Sequence, residues 1–529
     1  MSAVKTQLGE HPQRRRRIGV HAGHDSYKWW ALSCTSLGML LATINSGTLI
    51  IALPDLERSL HTSLLELVWV ILVYMIASTV LVLSAGRLSD QFGRKKAYVL
   101  GFVLFALASL GAGFAGNGTQ LILWRIVQGV GGAFLFANSA AIVTDAFPRE
   151  QLGLAMGTNT MVAAVGLVIG PVLGGALVAV SWHWVFWFNV PLGLAGSLWG
   201  GLILHEVTGR SEDRSFDWLG TVTFLVGLTG LVYGISKGGI QGWTSPLTIP
   251  SLIVAAVLLP AFVLVERRHT SPMLDLTIFR HRLFSTASGA AFANGLARFA
   301  LMFVFVFYFQ GVQGDSPILA GVKLAPLALG MLIASPAAGM WADRRGSRTL
   351  AVLGMLVTAA GLALMTTLER DTSYVWPGIY MFIVGIGSGM FNSPNTAAMM
   401  GTVAAHRRGI AAGARVLVQN TGAVISIAFV LAVVTSAVPK RVLFSVFSGL
   451  ANHISTAQLS PFITNMHTAL WCLAAVSVVG AAISAARPRE ISGASPAARP
   501  GEISGASSAP PNEGSATAPL GADRQAVAS

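Results

Sequence analysis

Asp90, Arg94, Arg125 and Arg298 are charged side chains in a sequence that carries little charge. Asp90 and Arg94 stand four apart in Gly86-Arg87-Leu88-Ser89-Asp90-Gln91-Phe92-Gly93-Arg94-Lys95-Lys96, a charged stretch between two long apolar runs. There the carboxylate can accept from the guanidinium or from backbone N–H groups at a helix start. Gly86 allows close approach to a neighbouring helix, Gly93 permits a tight turn, and Lys95 and Lys96 can reach lipid phosphates. Arg125 and Gln128, three apart inside an apolar run, share one helix face. Arg298 falls near the middle of a later run, where an unpaired charge is least tolerable in a bilayer. This is the chemistry of charge pairing, proton movement and ligand recognition. The residues for covalent chemistry are missing: Cys34 and Cys472 sit in separate apolar runs, and the spans hold no His, Asp, Glu or Cys cluster. Neither metal, cofactor nor phosphate-cradling Gly-x-x-x-x-Gly-Lys-Ser/Thr loop is called for, which removes ATP as a drive.

The elements that hold these residues are membrane helices. Only 11% of the 529 residues are charged and 53% are hydrophobic, with a mean hydropathy of +0.65. A soluble chain of this length needs far more charge to cover its surface. The net charge of +13 does not indicate a nucleic-acid partner, because the basic residues are scattered through short loops. Apolar runs long enough to span fall at about 30–52, 65–86, 97–115, 119–143, 153–179 and 182–204, then 216–236 and 247–265. Six more fall at about 284–311, 317–340, 349–367, 375–400, 410–436 and 467–486. The expected architecture is all-α and polytopic, with fourteen transmembrane helices. Its parts are a cytoplasmic tail (1–28), a six-helix bundle (29–206), a two-helix insert (207–270), a second six-helix bundle (271–486) and a disordered cytoplasmic tail (487–529). That last tail is rich in Ala, Ser, Gly and Pro and repeats Glu-Ile-Ser-Gly-Ala-Ser. A cleavable leader is not expected, since the first apolar run is long and follows a polar stretch. The loop between the last two spans is the longest, and its Val442–Leu450 segment is expected at the membrane surface.

A near copy of the first charged loop, Gly339-Met340-Trp341-Ala342-Asp343-Arg344-Arg345-Gly346-Ser347-Arg348, follows the tenth run as the original follows the second. Two such matches in register indicate a duplicated membrane unit. The stretch Gly86–Lys96 resembles the signature loop of the major facilitator superfamily, Gly-x-Leu-Ala-Asp-x-x-Gly-Arg-Lys, with Ser89 in place of Ala. The resemblance implies the major facilitator fold, in which this loop is a cytoplasmic latch; Gly86, Asp90, Gly93 and Arg94, with Asp343 and Gly346 in the copy, are its residues here. Arg125-x-x-x-Gly129 resembles the fourth-span motif linked there to proton movement, which implies a coupling role for Arg125 and Gln128. Gly166-x-x-x-Gly170-Pro171-x-x-Gly174-Gly175 is similar to the antiporter motif. Ala52-Leu53-Pro54, Trp184–Gly193 and Ser316–Gly321 resemble the fourteen-span drug/proton antiporter branch. Exporters of that branch often carry an acid nine residues before the proline; here Asn45 stands there and cannot carry a proton.

The remaining cavity candidates are Tyr74, Asn138, Asn294, Asn392, Asn395, Gln419 and Asn420, with Asn45. Every acidic residue falls in a tail, loop or span end, so a cavity holding Arg125 and Arg298 is expected to be electropositive and to favour neutral or anionic compounds. Proton coupling would then use Asp55, Glu57, Asp90 or Asp145, or act through Arg125 and the substrate. The function implied is proton-coupled export of small hydrophobic compounds such as drugs, antibiotics or dyes across the cell membrane. The rival on the same fold exports a narrow endogenous metabolite or lipid precursor; the remote rivals are a membrane-embedded enzyme and a transport-dead sensor. The partners expected are substrate, protons and lipid, while oligomeric state is left open. Basic residues concentrate in alternate loops, from Arg87 to Arg408, with only Arg58, Lys237, Arg370, Lys440 and Arg441 in the others. This bias sets both termini in the cytoplasm. Reporter fusions after residues 115, 240 and 450 should therefore read outside and fusions after 92, 210 and 405 inside; a twelve-span pattern, with 216–265 not crossing, would refute the assignment.

Overall fold

Each apolar run folds as a helix because a backbone in lipid must satisfy its own hydrogen bonds. The computed structural model describes residues 24–148, 151–206, 217–269, 272–403, 408–436, 438–439, 442–443, 446 and 455–488. The expected tails lie outside these residues, except for a few at their inner edges. The helices are α1 (His24–Leu60), α2 (Leu64–Phe92), α3 (Arg94–Gly113), α4 (Gly118–Ala146) and α5 (Leu152–Val180). Next come α6, in two pieces (Trp184–Trp187 and Asn189–Ile203), α7 (Trp218–Gln241) and α8 (Thr248–Arg268). Helix α9 (Arg282–Val306) ends in a π turn, Phe307–Val312; α10 (Pro317–Arg345), α11 (Ser347–Leu364), α12 (Val375–Gly401), α13 (Arg408–Thr435) and α14 (Thr456–Ala485) follow. The described residues contain no strand. Thirteen of these helices are long and apolar enough to cross a membrane. The other, α5, is helical over 29 residues without a charge.

Local chemistry sets the ends. Ser63 and Glu66 form a capping box on α2, Asn117 caps α4, Asp217 caps α7 and Ser316 caps α10. Gly93 and Gly346, at φ 108° and 82°, break α2 from α3 and α10 from α11, a backbone region that favours glycine. Helices α1 to α6 pack on one another, as do α9 to α14; α7 and α8 form a pair that touches α2 and α13. Leu107, Leu198, Ile253, Val257 and Val479 point outward, as a lipid-facing surface requires.

Two expectations need correction. Helix α14 begins at Thr456, well before 467, because Ser455 and Gln458 build a capping box there. Within the preceding loop, Val442, Leu443 and Val446 are buried instead of lying at the membrane surface. The Val446 carbonyl sits against Gly311, where any Cβ would collide with it.

Helix α5 is held by its glycines on two sides. A Cβ on Gly170 would stand 3.0 Å from Gly47 Cα, and one on Gly174 2.7 Å from Thr48 Cα; Gly166 faces Thr43. On the other side, the carbonyl of Pro171 closes on Gly321, and Gly175 on Pro317 and Ile318. The Gly166–Gly170–Gly174 row thus packs on α1, while Pro171 and Gly175 make the seam with α10. Gly170→Leu should push α1 from α5 and lower the thermal unfolding midpoint in detergent, by roughly 1–3 kcal/mol of stability. Gly201→Leu, with nothing within 4 Å of its Cβ position, should leave the midpoint unchanged.

Candidate functional site

A cavity lies where α1, α2 and α4 face α9, α10, α12 and α13. Its wall is apolar for the most part, with Leu49, Ile50, Ile71, Met75, Phe299, Met302, Leu327, Met331 and Ile427. Set into it are Ser46, Ser388, Tyr74 and the two arginines predicted from sequence, Arg125 and Arg298.

Arg125 is 1% exposed and is held wholly by neutral groups. Its Nε donates to the Val70 carbonyl at 2.9 Å, and its Nη1 to Asn45 Oδ1 at 3.4 Å and to Gln128 Oε1. Gln128 Nε2 donates to Asn45 Oδ1 at 3.2 Å and to Ser109 Oγ at 2.7 Å. Asn189 Nδ2 also points at Asn45 Oδ1, 3.4 Å away. The guanidinium lies 4.3 Å over the Tyr74 ring, an additional cation–π contact. One amide oxygen, that of Asn45, thus gathers donors from α4 and α6, with no carboxylate in the described cluster. Asn189 and Ser109 were not among the candidates. Asn189 falls beside Phe188, where α6 breaks, a signal that aromatic-rich sequence hides.

Arg298 has fewer partners. Its Nε is buried without a hydrogen-bond partner, and its described contact is the Phe299 ring at 4.3 Å. One to two turns along from the wall residues Arg298, Ser388 and Ile427, a chain of amides joins three helices: Gln419 Nε2 donates to Asn392 Oδ1 at 3.0 Å and Asn392 Nδ2 to Asn294 Oδ1 at 3.4 Å. Arg415, a third arginine inside a span and not among the candidates, donates to Gln419 Oε1 at 3.0 Å.

Of the polar residues expected at the cavity, Tyr74 lines it, while Asn45, Asn294, Asn392 and Gln419 do not line it and are bonded in these networks. Asn138 bonds back to the Phe134 carbonyl of its own helix at 2.8 Å, and Asn420 is half-buried with no described bond. Asn395 is directed away: it accepts from Arg487 and donates to the Ala287 carbonyl at 3.2 Å.

At the Arg94 end of the helices, Arg94 Nε meets Asp90 Oδ1 at 2.9 Å and its Nη1 meets Asp145 Oδ2 at 2.6 Å. Gly86 packs on Ala137 of α4. Glu206 accepts from the Lys95 N–H at 3.2 Å and fills the space beside Gly93, an N-terminal cap brought from the far end of α6. In the second copy, the side chain of Asp343 lies outside the described residues. At the opposite end, Gln310 Nε2 donates to the Ile51 carbonyl at 3.1 Å, which joins α9 to α1. Lys323 there pairs with Asp315, and burial raises the nearby Tyr374 phenol above its usual range.

Residues 35–427 match the family model described as Major Facilitator Superfamily. The chain is 34% identical over 430 residues to the puromycin resistance protein pur8 of Streptomyces alboniger, with 78% of this chain and 83% of that one covered. It is 31% identical over 417 residues to multidrug resistance protein 3 of Bacillus subtilis (strain 168), with coverage of 78% and 81%. It is 30% identical over 395 residues to the tetracenomycin C resistance and export protein of Streptomyces glaucescens, with coverage of 74% and 73%.

The hub role of Asn45 is directly testable. Asn45→Leu leaves three buried donors without their shared acceptor and should cost roughly 1–3 kcal/mol, seen as a lower unfolding midpoint. Asn45→Asp keeps the acceptor and adds a counter-charge to Arg125, so its midpoint should match or exceed wild type. Equal midpoints for Asn45→Leu and wild type would show that the cluster contributes nothing.

Proposed function

We propose, because the chain belongs to the Major Facilitator Superfamily, that it exports small, mainly apolar compounds that are neutral or anionic, by proton antiport. It is a multi-pass transporter of small molecules rather than an enzyme. The segments 29–206 and 271–486 act as two halves that rock about the cavity, with 207–270 as an insert and the Arg94 end in the cytoplasm. Antibiotic-sized cargo is supported by the relatives named for puromycin and tetracenomycin C resistance, and the largely apolar wall of the cavity suits such compounds.

The observation that carries the charge preference is Arg298. A buried guanidinium with an unpartnered Nε at a cavity wall is costly until something accepts from it. A carboxylate, phenolate or carbonyl on the substrate supplies that acceptor, and the apolar wall takes the rest. Lipophilic cations gain nothing from such a wall, since Arg125 adds a second positive charge without a carboxylate beside it. The latch residues Asp90, Arg94 and Asp145, with the Pro171–Gly175 seam, serve the change of state.

The test uses reconstituted protein and pairs of compounds matched in all but charge. Wild type should move the acidic member faster than the basic one by about tenfold, roughly 1.4 kcal/mol. Arg298→Gln should bring the two rates close together. A strong preference for lipophilic cations that survives Arg298→Gln would overturn the charge reading.

A further inference from the structure

With Asn45 in the first span and no acid in the cavity wall, an antiporter of this build needs its proton elsewhere. The described residues contain three buried carboxylates, Glu57, Asp217 and Glu266, and two of these meet. We propose that Asp217 and Glu266 form a proton-binding site at the Arg94 end of the α7–α8 pair, where one shared proton is taken up and released during transport. This rests on the antiport reading above and names its proton carrier.

Asp217, 2% exposed, caps α7: its Oδ1 accepts from the Gly220 N–H at 2.7 Å and its Oδ2 from the Met273 N–H at 3.4 Å. Glu266, 3% exposed in the last turn of α8, accepts the Leu274 N–H on Oε2 at 2.9 Å. Its Oε1 is buried with no N–H or hydroxyl donor. A Cβ on Gly220 would strike both Asp217 Oδ2 and Glu266 Oε1, the latter at 2.7 Å, so these two carboxylate oxygens border one small space. Two carboxylates bordering one buried space repel each other when both are ionised, and a proton between them relieves that repulsion.

The site is also joined to a helix the cycle must move. From α2, Arg87 is the charged group facing it: its guanidinium donates to the Pro272 carbonyl and acts on Glu266 through space. From α7 the facing group is Asp217 itself, and the 272–274 segment brings only backbone N–H groups and the Met273 thioether. Ser84 of α2 lies 3.0 Å from Thr221 of α7, and both touch Met273 Sδ. With the proton bound, the pair carries one negative charge, matched by Arg87. When the proton leaves to water at this end, the pair carries two and its pull on Arg87 grows. No other bond is made or broken. Because Arg87 lies in the same helix as Asp90, proton release is transmitted to the end of α2. Asp90 and Asp145, by contrast, are both spent in pairing with Arg94.

The experiment has two arms on the full-length protein. Infrared spectra of purified wild type are titrated with pH, and the carbonyl stretch of a protonated carboxyl is compared in Glu266→Gln, Asp217→Asn and, as a control, Glu57→Gln. In proteoliposomes, substrate efflux driven by a pH gradient is divided by substrate exchange without one. We expect a titrating carboxyl component that both site variants lose and that Glu57→Gln, which removes only the third buried carboxylate, keeps. We also expect the driven-to-exchange ratio to fall by about tenfold in Glu266→Gln. A wild type without the band, site variants that retain it, or a Glu266→Gln ratio within about twofold of wild type would overturn the proposal. Should wild-type efflux ignore the gradient while the band behaves as expected, antiport itself is wrong and the shared proton is only structural. If Glu266→Gln fails to fold, the wild-type titration and Asp217→Asn decide.

Discussion

The structure depends on keeping the Arg125 guanidinium in a dry interior without a carboxylate. A buried cation there is tolerable only if its donors are met and its charge is spread. The chain does this with a backbone carbonyl from α2, amide oxygens from α1 and α4, and the face of Tyr74. The consequence reaches the helix arrangement. Asn45, Val70, Gln128, Ser109 and Asn189 must all meet at one depth, which fixes α1, α2, α3, α4 and α6 relative to one another. The close Gly47–Gly170 crossing then sets α5 against α1, and through Pro171 and Gly175 the position of α10.

Arg298 is treated in the opposite way. No amide oxygen is brought to its Nε, and an aromatic ring is its described neighbour. Two arginines on facing walls of one cavity therefore differ in how much of their hydrogen-bonding capacity is spent inside the protein. Arg125 is committed to the framework. Arg298 leaves its Nε unspent.

Sequence made plain what local pattern can carry. The spans follow from hydropathy over about 20 residues, the duplicated loop from its Gly-x-x-x-Asp-x-x-Gly spacing, and the conspicuous arginines from being charged in apolar runs. Pairings across distant residues were not legible. Nothing near Glu206 announces that it caps α3, nothing near Arg487 that it reaches Asn395, and Asp217 and Glu266 are 49 positions apart by their numbers. Arg415 falls early in its span, where a basic residue reads as a loop neighbour. The burial of Val446 was hidden for a related reason: a loop's apolar residues look the same whether they meet lipid or another helix. The α5 glycines gave the right spacing but not their assignment. Only the structure separates the row that meets α1 from the two residues that meet α10.

The acceptor at the centre of the first arginine cluster is an amide, and an amide has no proton to gain or lose over the physiological range, just as a guanidinium does not readily give one up. The field at the Arg125 side of the cavity is therefore a fixed quantity, indifferent to acidity on either side of the membrane. A substitution elsewhere in the cavity wall can therefore reshape the space without disturbing that field.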